Sequence, residues 1–290
     1  MSAGKTALIV GGNRGIGLNL VKALSARNWT MVASVRPQTV NDHDPSIKEV
    51  TMVAPGLQSE LTADVPRSSL ILELKSSRSM FSTRPLSPQP SELLGMIARW
   101  ICSLIVQVPR HNPVKKLDVA KALYFLGIGP EPDNWFEHTG EILLEKFCVN
   151  SIGPFLTSKH FHPNLKLAKG KIINISSNAG SIGSMLVVLF SSYSIDADCW
   201  VVNKGEDLGY RMSKAALNQL TATLAKEFIM NKEDIAVVSI YPGYVPTKMT
   251  NFKSRDNMDE CIEGIVGVVE GVGMEQTGTF VDWKGQRIPW

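Results

Sequence analysis

The 290 residues of this chain predict an α/β protein built on a doubly wound parallel sheet, and three observations carry that expectation. Ala7-Leu8-Ile9-Val10 is a short continuous apolar run of the kind buried on both faces of a parallel sheet, and Gly11-Gly12 closes it. Ile16, Leu20 and Leu24 then recur at helical spacing, so the period changes from strand to helix across a glycine turn. Strand-like runs alternate with helical stripes again in the second half of the chain, the pattern of a doubly wound sheet. The length suits one sizeable domain, 1–290, better than two small ones.

Thr30–Val35 supplies the second strand and completes a βαβ unit. Between Pro37 and Leu117 the regular alternation fails, with Ser and Pro clustered at Ser76-Ser77-Arg78-Ser79 and from Arg84 to Pro90. Residues 76–116 are accordingly read as an irregular segment; Ser69–Leu74 before it has the composition of a strand, and Ser91–Cys102 inside it that of a helix. Order returns with a helix over Glu141–Phe155, interrupted at Gly153-Pro154, and a buried strand over Lys171–Ser176. Leu217, Leu220, Leu224 and Phe228 form the apolar stripe of a helix over Arg211–Ile229. Ile235–Ile240 is a strand ending at Tyr241-Pro242-Gly243, and Thr279–Val281 is the last.

Composition narrows the function. The net charge is +3, and the basic residues are scattered without a run, so no nucleic-acid groove is expected. The apolar runs Trp100–Val106 and Met185–Phe190 fall well short of the roughly 20 residues that span a bilayer. Cys102, Cys148, Cys199 and Cys261 lie far apart with no CxxC pair and no histidine at zinc-ligand spacing, so neither a disulfide framework nor a metal site is expected. Met1–Lys5 leads directly into a strand without the apolar stretch of a signal peptide, which predicts a cytoplasmic protein.

Gly11-Gly12-Asn13-Arg14-Gly15-Ile16-Gly17 opens the first helix directly after the first strand. Chemistry at a phosphate needs glycines here: the backbone must turn tightly, approach a pyrophosphate without an intervening Cβ, and let the helix pack against the sheet. Glycine turns also join strands to helices for geometric reasons alone; the βαβ context favours the nucleotide. NAD sites commonly end the second strand with a carboxylate for the ribose hydroxyls, whereas here Ser34-Val35-Arg36 ends it and Arg14 sits in the turn. Two guanidiniums suit a 2′-phosphate, hence NADP(H) over NAD(H), the alternative being two ordinary solvated arginines.

Tyr210-Arg211-Met212-Ser213-Lys214 puts a phenol and an ammonium four residues apart, on one face of a helix. A cation beside the ring favours the phenolate, so the pair is expected to lower the tyrosine's pKa and make it a general acid near neutral pH. A plain surface pair is the competing reading. Ser177 falls at the end of a central strand, where ligands bind in such sheets, and its hydroxyl is placed either to donate to a developing oxyanion or simply to cap the strand.

With GGNRGIG (Gly11–Gly17), NISS (Asn174–Ser177), YRMSK (Tyr210–Lys214) and YPGYVPT (Tyr241–Thr247) in this order, the chain resembles a short-chain dehydrogenase/reductase. The KIINISSNAGSIG stretch and the ending Trp283–Trp290 make it similar to the C-factor-like and carbonyl-reductase branch. The resemblance implies a Rossmann fold and a hydride transfer between NADP(H) and a carbonyl or alcohol carbon of a small molecule. It implies Tyr210 as general acid/base, Lys214 on the nicotinamide ribose, Ser177 at the substrate carbonyl and Asn150 supporting a proton-relay water. Gly11, Asn13, Arg14, Gly15, Ile16, Gly17, Arg36 and Gly127, with Asn150, Tyr210 and Lys214, would line the cofactor. Pro242, Gly243, Val245 and Thr247 would meet its nicotinamide end. A homodimer or homotetramer is also implied, through helices that include the one bearing Tyr210.

The chain departs from the family pattern at three places. The Asn-Asn-Ala-Gly element stands as Tyr124-Phe125-Leu126-Gly127, keeping only the glycine, and Lys75 replaces an acidic residue after the third strand. Ser177 and Tyr210 are separated by a stretch several times the family spacing, which marks an insert over 185–202; Tyr193 lies nearer but has Ala197 where the lysine belongs. Both irregular segments are surface excursions or translated sequence outside the functional product. These departures motivate a rival expectation, a cofactor-binding sensor or signalling protein without turnover.

Overall fold

In the computed structural model, the described residues are 5–34, 121–124, 129, 134–185 and 207–290. Among the described residues, six strands form one parallel sheet: β1 (Thr6–Val10), β2 (Thr30–Ser34), β3 (Lys121–Tyr124), β4 (Lys171–Ile175), β5 (Ala236–Tyr241) and β6 (Thr279–Asp282). Their spatial order is β2-β1-β3-β4-β5-β6. Val10 pairs with Ser34 on one side and Tyr124 on the other, and Asn174 links Tyr124 to Ser239. The chain runs outward from β1 to β2 and then in the opposite direction through β3. A crevice therefore opens beyond the carboxyl ends of β1 and β3, where doubly wound sheets bind ligands.

Helices α1 (Gly15–Ser25), α2 (Gly140–Phe147), α3 (Gly153–Ala168), α4 (Leu208–Met230) and α5 (Met258–Gly271) cover both faces. Alternation along β1 assigns the two cores. Ala7 and Ile9 join Leu20, Leu24, Ile173, Val238, Ile265 and Val269 under α1 and α5, whereas Leu8 and Val10 join Phe161, Leu165, Ile172, Phe228 and Val237 under α3 and α4. Each fully buried Leu or Ile contributes roughly 1.5–3 kcal/mol. The continuous apolar reading of β1, β4 and β5 thus has its physical cause in burial from both sides.

The elements expected around β1, α1, β2, β4, α4, β5 and β6 are present within a few residues of their expected bounds. The helix over Glu141–Phe155 is not broken at Gly153-Pro154. Its irregularity is a π-helical turn over Cys148–Ile152, after which Gly153-Pro154 opens α3, since proline lacks only an amide that the first turn leaves unbonded. Helix α3 runs on to Ala168 with Pro163 inside it. Helix α5 was not expected: Ile262, Ile265, Val266 and Val269 are its buried stripe, and the Asn257 side chain caps it by accepting from the amides of Asp259 and Glu260. Tyr124, expected in the loop that replaces Asn-Asn-Ala-Gly, is the last residue of β3. Ser69–Leu74, Lys75, Ser91–Cys102, the 76–116 segment, Arg36, Gly127, Tyr193 and the insert beyond Met185 lie outside the described residues.

Candidate active site

The glycine turn has the backbone its composition allows. Gly15 adopts φ 52° and is the first residue of α1, and an added Cβ on it would stand 3.4 Å from the Thr247 methyl group. The turn after β1 and the loop after β5 therefore meet, although they come from opposite halves of the sequence. A side chain on Gly17 would drive into the Gly11 carbonyl. Asn13 is buried, Ile16 is partly buried, and Arg14 is exposed at the N-cap of α1. On the other side, Pro242, Gly243 and Val245 are buried, and the Tyr244 amide donates to the Asp256 carboxylate at 2.6 Å, which fixes the loop that carries Thr247.

Ser177, Tyr210 and Lys214 come together at the end of β4. The Ser177 hydroxyl lies where it favours the ionised Tyr210 phenol and accepts the Ala179 amide at 3.2 Å, which caps a 3₁₀ turn over Asn178–Gly180. The Lys214 ammonium lies 5.7 Å from the centre of the Tyr210 ring and donates to the Ile175 carbonyl at 2.9 Å. Asn150 sits in the π turn, fully buried, and donates to Ser213 Oγ at 2.9 Å; Ser213 Oγ donates in turn to the Tyr210 carbonyl at 2.8 Å. Ser151 Oγ adds a bond to the Ser213 carbonyl at 2.7 Å. The π turn, a form often found at functional sites, is thereby fastened to the first turns of α4.

One expectation is reversed. Burial pushes the Tyr210 phenol up to about 12, with Asp207 adding in the same direction and the Ser177 hydroxyl opposing both. Burial likewise draws the Lys214 ammonium down to about 8. Removing a charge from water outweighs the attraction of a cation that spends its hydrogen bond on a backbone carbonyl.

Two residues that sequence reasoning passed over hold the site together. Asn218 accepts from Ser176 Oγ at 2.6 Å and donates to the Gly180 carbonyl at 3.2 Å, gripping the chain on both sides of Ser177. Gly180 lets the turn close on α4, because a Cβ there would lie 2.7 Å from the Lys214 carbonyl carbon. The available signal was spacing: Tyr210, Lys214 and Asn218 follow one another at i, i+4, i+8 on one helix face. Deeper in, Asn174 Nδ2 donates to Thr221 Oγ1, which bonds Ser239 Oγ, so the buried face of α4 is polar where it meets β4 and β5. Among the described residues, no cluster of His, Cys, Asp or Glu could hold a metal ion, and no helix is long and apolar enough to cross a membrane.

A glycine turn at the switch point of a doubly wound sheet, faced by a serine, tyrosine and lysine that converge at the end of β4, marks the chain as an α/β protein of Rossmann type. Comparison with known proteins bears out the resemblance to short-chain dehydrogenases/reductases. The short-chain dehydrogenase family pattern matches residues 203–258, the stretch holding Tyr210, Lys214 and Thr247. An uncharacterized oxidoreductase of Saccharomyces cerevisiae is 26% identical over 97% of this chain and 96% of its own length. The C-signal protein of Myxococcus xanthus is 26% identical over 50% of this chain and 76% of its own. Among solved structures, an NADPH-bound carbonyl reductase from chicken fatty liver has a TM-score of 0.61 at 26% identity, covering 99% of this chain and 94% of that one. The carbonyl reductase Sniffer of Drosophila melanogaster has a TM-score of 0.63 at 21% identity, covering 99% and 100%, and shares the single-domain Rossmann fold.

Proposed function

We propose that this protein is an NADP(H)-dependent oxidoreductase that interconverts a carbonyl and an alcohol on a small molecule, with Tyr210 as general acid/base. The observation that carries the reading is the convergence of Ser177 and Lys214 on Tyr210, despite the long stretch between them. The cofactor fits the residues present. Gly15 and Gly17 leave the start of α1 clear of side chains, and helix amides there suit a pyrophosphate. Arg14 is free to reach solvent beside it, where a guanidinium matches a 2′-phosphate. The chicken relative of similar fold is described as NADPH-bound.

When bound, NADPH supplies the hydride. The chain's own residues handle the proton and the charge. Tyr210, protonated throughout the neutral range, gives its phenolic proton to the carbonyl oxygen as negative charge develops there. Ser177 holds that oxygen with its hydroxyl. Lys214 keeps a positive charge near the phenol once its proton has gone, and Asn150 and Ser213 hold the first turn of α4 in place for the transfer. The exposed apolar residues Leu144, Ile152, Phe155 and Met212 on α2, the π turn, α3 and α4 support assembly of a homodimer or homotetramer through these elements.

The test is turnover of a panel of ketones and aldehydes with NADPH, by wild type and Tyr210→Phe. Loss of about 10² or more in kcat is expected in the variant. Equal rates in the two would remove the assignment of Tyr210, and NADPH binding without turnover of any substrate would favour a sensor.

A further inference from the structure

Helix α4, which carries Tyr210, begins without a cap of its own. Asp207 stands at its N-cap in the left-handed region, φ 65°, and makes no side-chain cap hydrogen bond, although aspartate is well suited to that duty. The first amide bonded back within the helix is that of Arg211, to the Asp207 carbonyl at 2.9 Å. The amides just before it need acceptors from elsewhere. For Gly209 the acceptor is His138, whose Nε2 receives the amide at 3.1 Å. Nδ1 of the same ring is 3.1 Å from the Asn134 carbonyl oxygen.

These two contacts fix the chemistry of the ring. A peptide N–H offers only a proton and a carbonyl oxygen only lone pairs, so Nε2 must be bare and Nδ1 must carry the hydrogen. A protonated ring would set N–H against N–H. We infer that His138 is a positioning residue for Tyr210: as the neutral Nδ1–H tautomer it caps the first turn of α4 and keeps the phenol in register with Ser177, and protonation releases that turn. The inference rests on the reading of Tyr210 as the proton donor. Gly209 makes the contact possible, because an added Cβ would lie 3.0 Å from His138 Cδ2 and 2.7 Å from Lys146 Cδ.

Among the described residues, the elements around the ring carry Glu137 beside it, Glu141, Glu145 and Lys146 on α2, and Asp207, Tyr210 and Arg211 at the start of α4. Lys146 is buried and donates to the Gly129 carbonyl at 2.6 Å. The exposed Glu141 is held below the usual carboxylate range by its backbone hydrogen bond and then by Thr139. All of these remain in His138→Gln, so a comparison with that variant isolates the ring.

His138→Gln supplies a neutral oxygen at the Nε2 position that cannot titrate, and His138→Ala removes the acceptor. The experiment records kcat/KM from about pH 5 to pH 8, where imidazoles titrate, together with hydrogen exchange at the Gly209 and Tyr210 amides. Wild type is expected to lose about tenfold toward the acid end, with those amides exchanging faster. His138→Gln should keep the rate at pH 8 and lack the acid limb, while His138→Ala should show lowered kcat and fast exchange throughout. An unchanged acid limb in His138→Gln, or wild-type kcat and exchange in His138→Ala, would overturn the proposal. Long-range ¹H–¹⁵N spectra of the labelled wild-type ring give a further check that needs no variant to fold: a bare Nε2 is expected, and a protonated one at pH 8 sinks the idea. The exchange and spectra require no turnover, so failure of the Tyr210 assignment would show separately, in the Tyr210→Phe rates.

Discussion

Lys214 donates its ammonium to the Ile175 carbonyl at 2.9 Å, on the strand whose next two residues are Ser176 and Ser177. The lysine is 3% exposed and held charged only up to about pH 8, against an ordinary lysine value of 10.5. Because its folded pKa is depressed, the unfolded chain binds the extra proton between pH 8 and about 10.5, and linkage makes stability rise with pH across that window. Wild type should therefore gain roughly 3 kcal/mol on Lys214→Met between pH 8 and pH 10.5, at 1.36 kcal/mol per unit. Urea unfolding of the two proteins at several pH values measures it; parallel curves would show that Lys214 is not desolvated in the native state.

Tyr210 gives the opposite sign and a kinetic consequence. With its phenol at about 12, the proton needed for reduction is present at every pH up to about 10, while the base form needed for oxidation grows tenfold per unit below the pKa. Carbonyl reduction by the enzyme should hold its rate around pH 7 and decline only as Lys214 loses its charge through about pH 8, while alcohol oxidation should climb from neutral pH upward. Initial rates in both directions across that range check the expectation, and an oxidation rate that does not rise with pH would remove Tyr210 as the working base.

How much of this was legible follows from what each residue's role depends on. The apolar runs of β1, β4 and β5 announce burial because every residue must be apolar when both faces are covered, and Gly15 and Gly17 announce a turn because no other residue fits. The buried face of α4 could not be read the same way. Ser213, Lys214, Asn218 and Thr221 look like a solvated stripe until the π turn and the strands β4 and β5 supply their partners. The ionisation of Tyr210 was misread for a related reason: i, i+4 spacing brings in the lysine but says nothing of desolvation, which here is the larger effect. His138 lies in a stretch with no motif at all, and only the fold brings its ring to the Gly209 amide.

Gly180 and Gly267 form a matched pair for testing the closeness of the 3₁₀ turn to α4. A methyl on Gly180 would stand 2.7 Å from the Lys214 carbonyl carbon and 2.9 Å from the Ala215 nitrogen, both backbone atoms that cannot swing aside. Gly180→Ala should therefore move Ser177 off Tyr210, costing about 1–3 kcal/mol of stability and about 10² in kcat. Gly267, inside α5, has nothing within 4 Å of an added Cβ, so Gly267→Ala should raise stability by about 0.5–1 kcal/mol and leave the rate unchanged. Thermal melts and kcat of both variants decide it.

Arg14 is the described residue on which the choice between NADPH and NADH can be tested directly. It stands exposed at the N-cap of α1, ahead of Gly15, and makes no side-chain cap bond of its own. Its guanidinium can therefore turn to a phosphate ester on the adenosine ribose without giving up a structural duty. A charge-assisted contact of that kind contributes about 1.5–3 kcal/mol, and every 1.4 kcal/mol is about tenfold in affinity. Arg14→Ala should raise the Kd for NADPH by about tenfold or more, leave the Kd for NADH nearly unchanged, and flatten the salt dependence of NADPH binding. Fluorescence titration of both dinucleotides at two ionic strengths measures all three, and an equal loss for NADH would mean that Arg14 acts on the pyrophosphate that the two cofactors share.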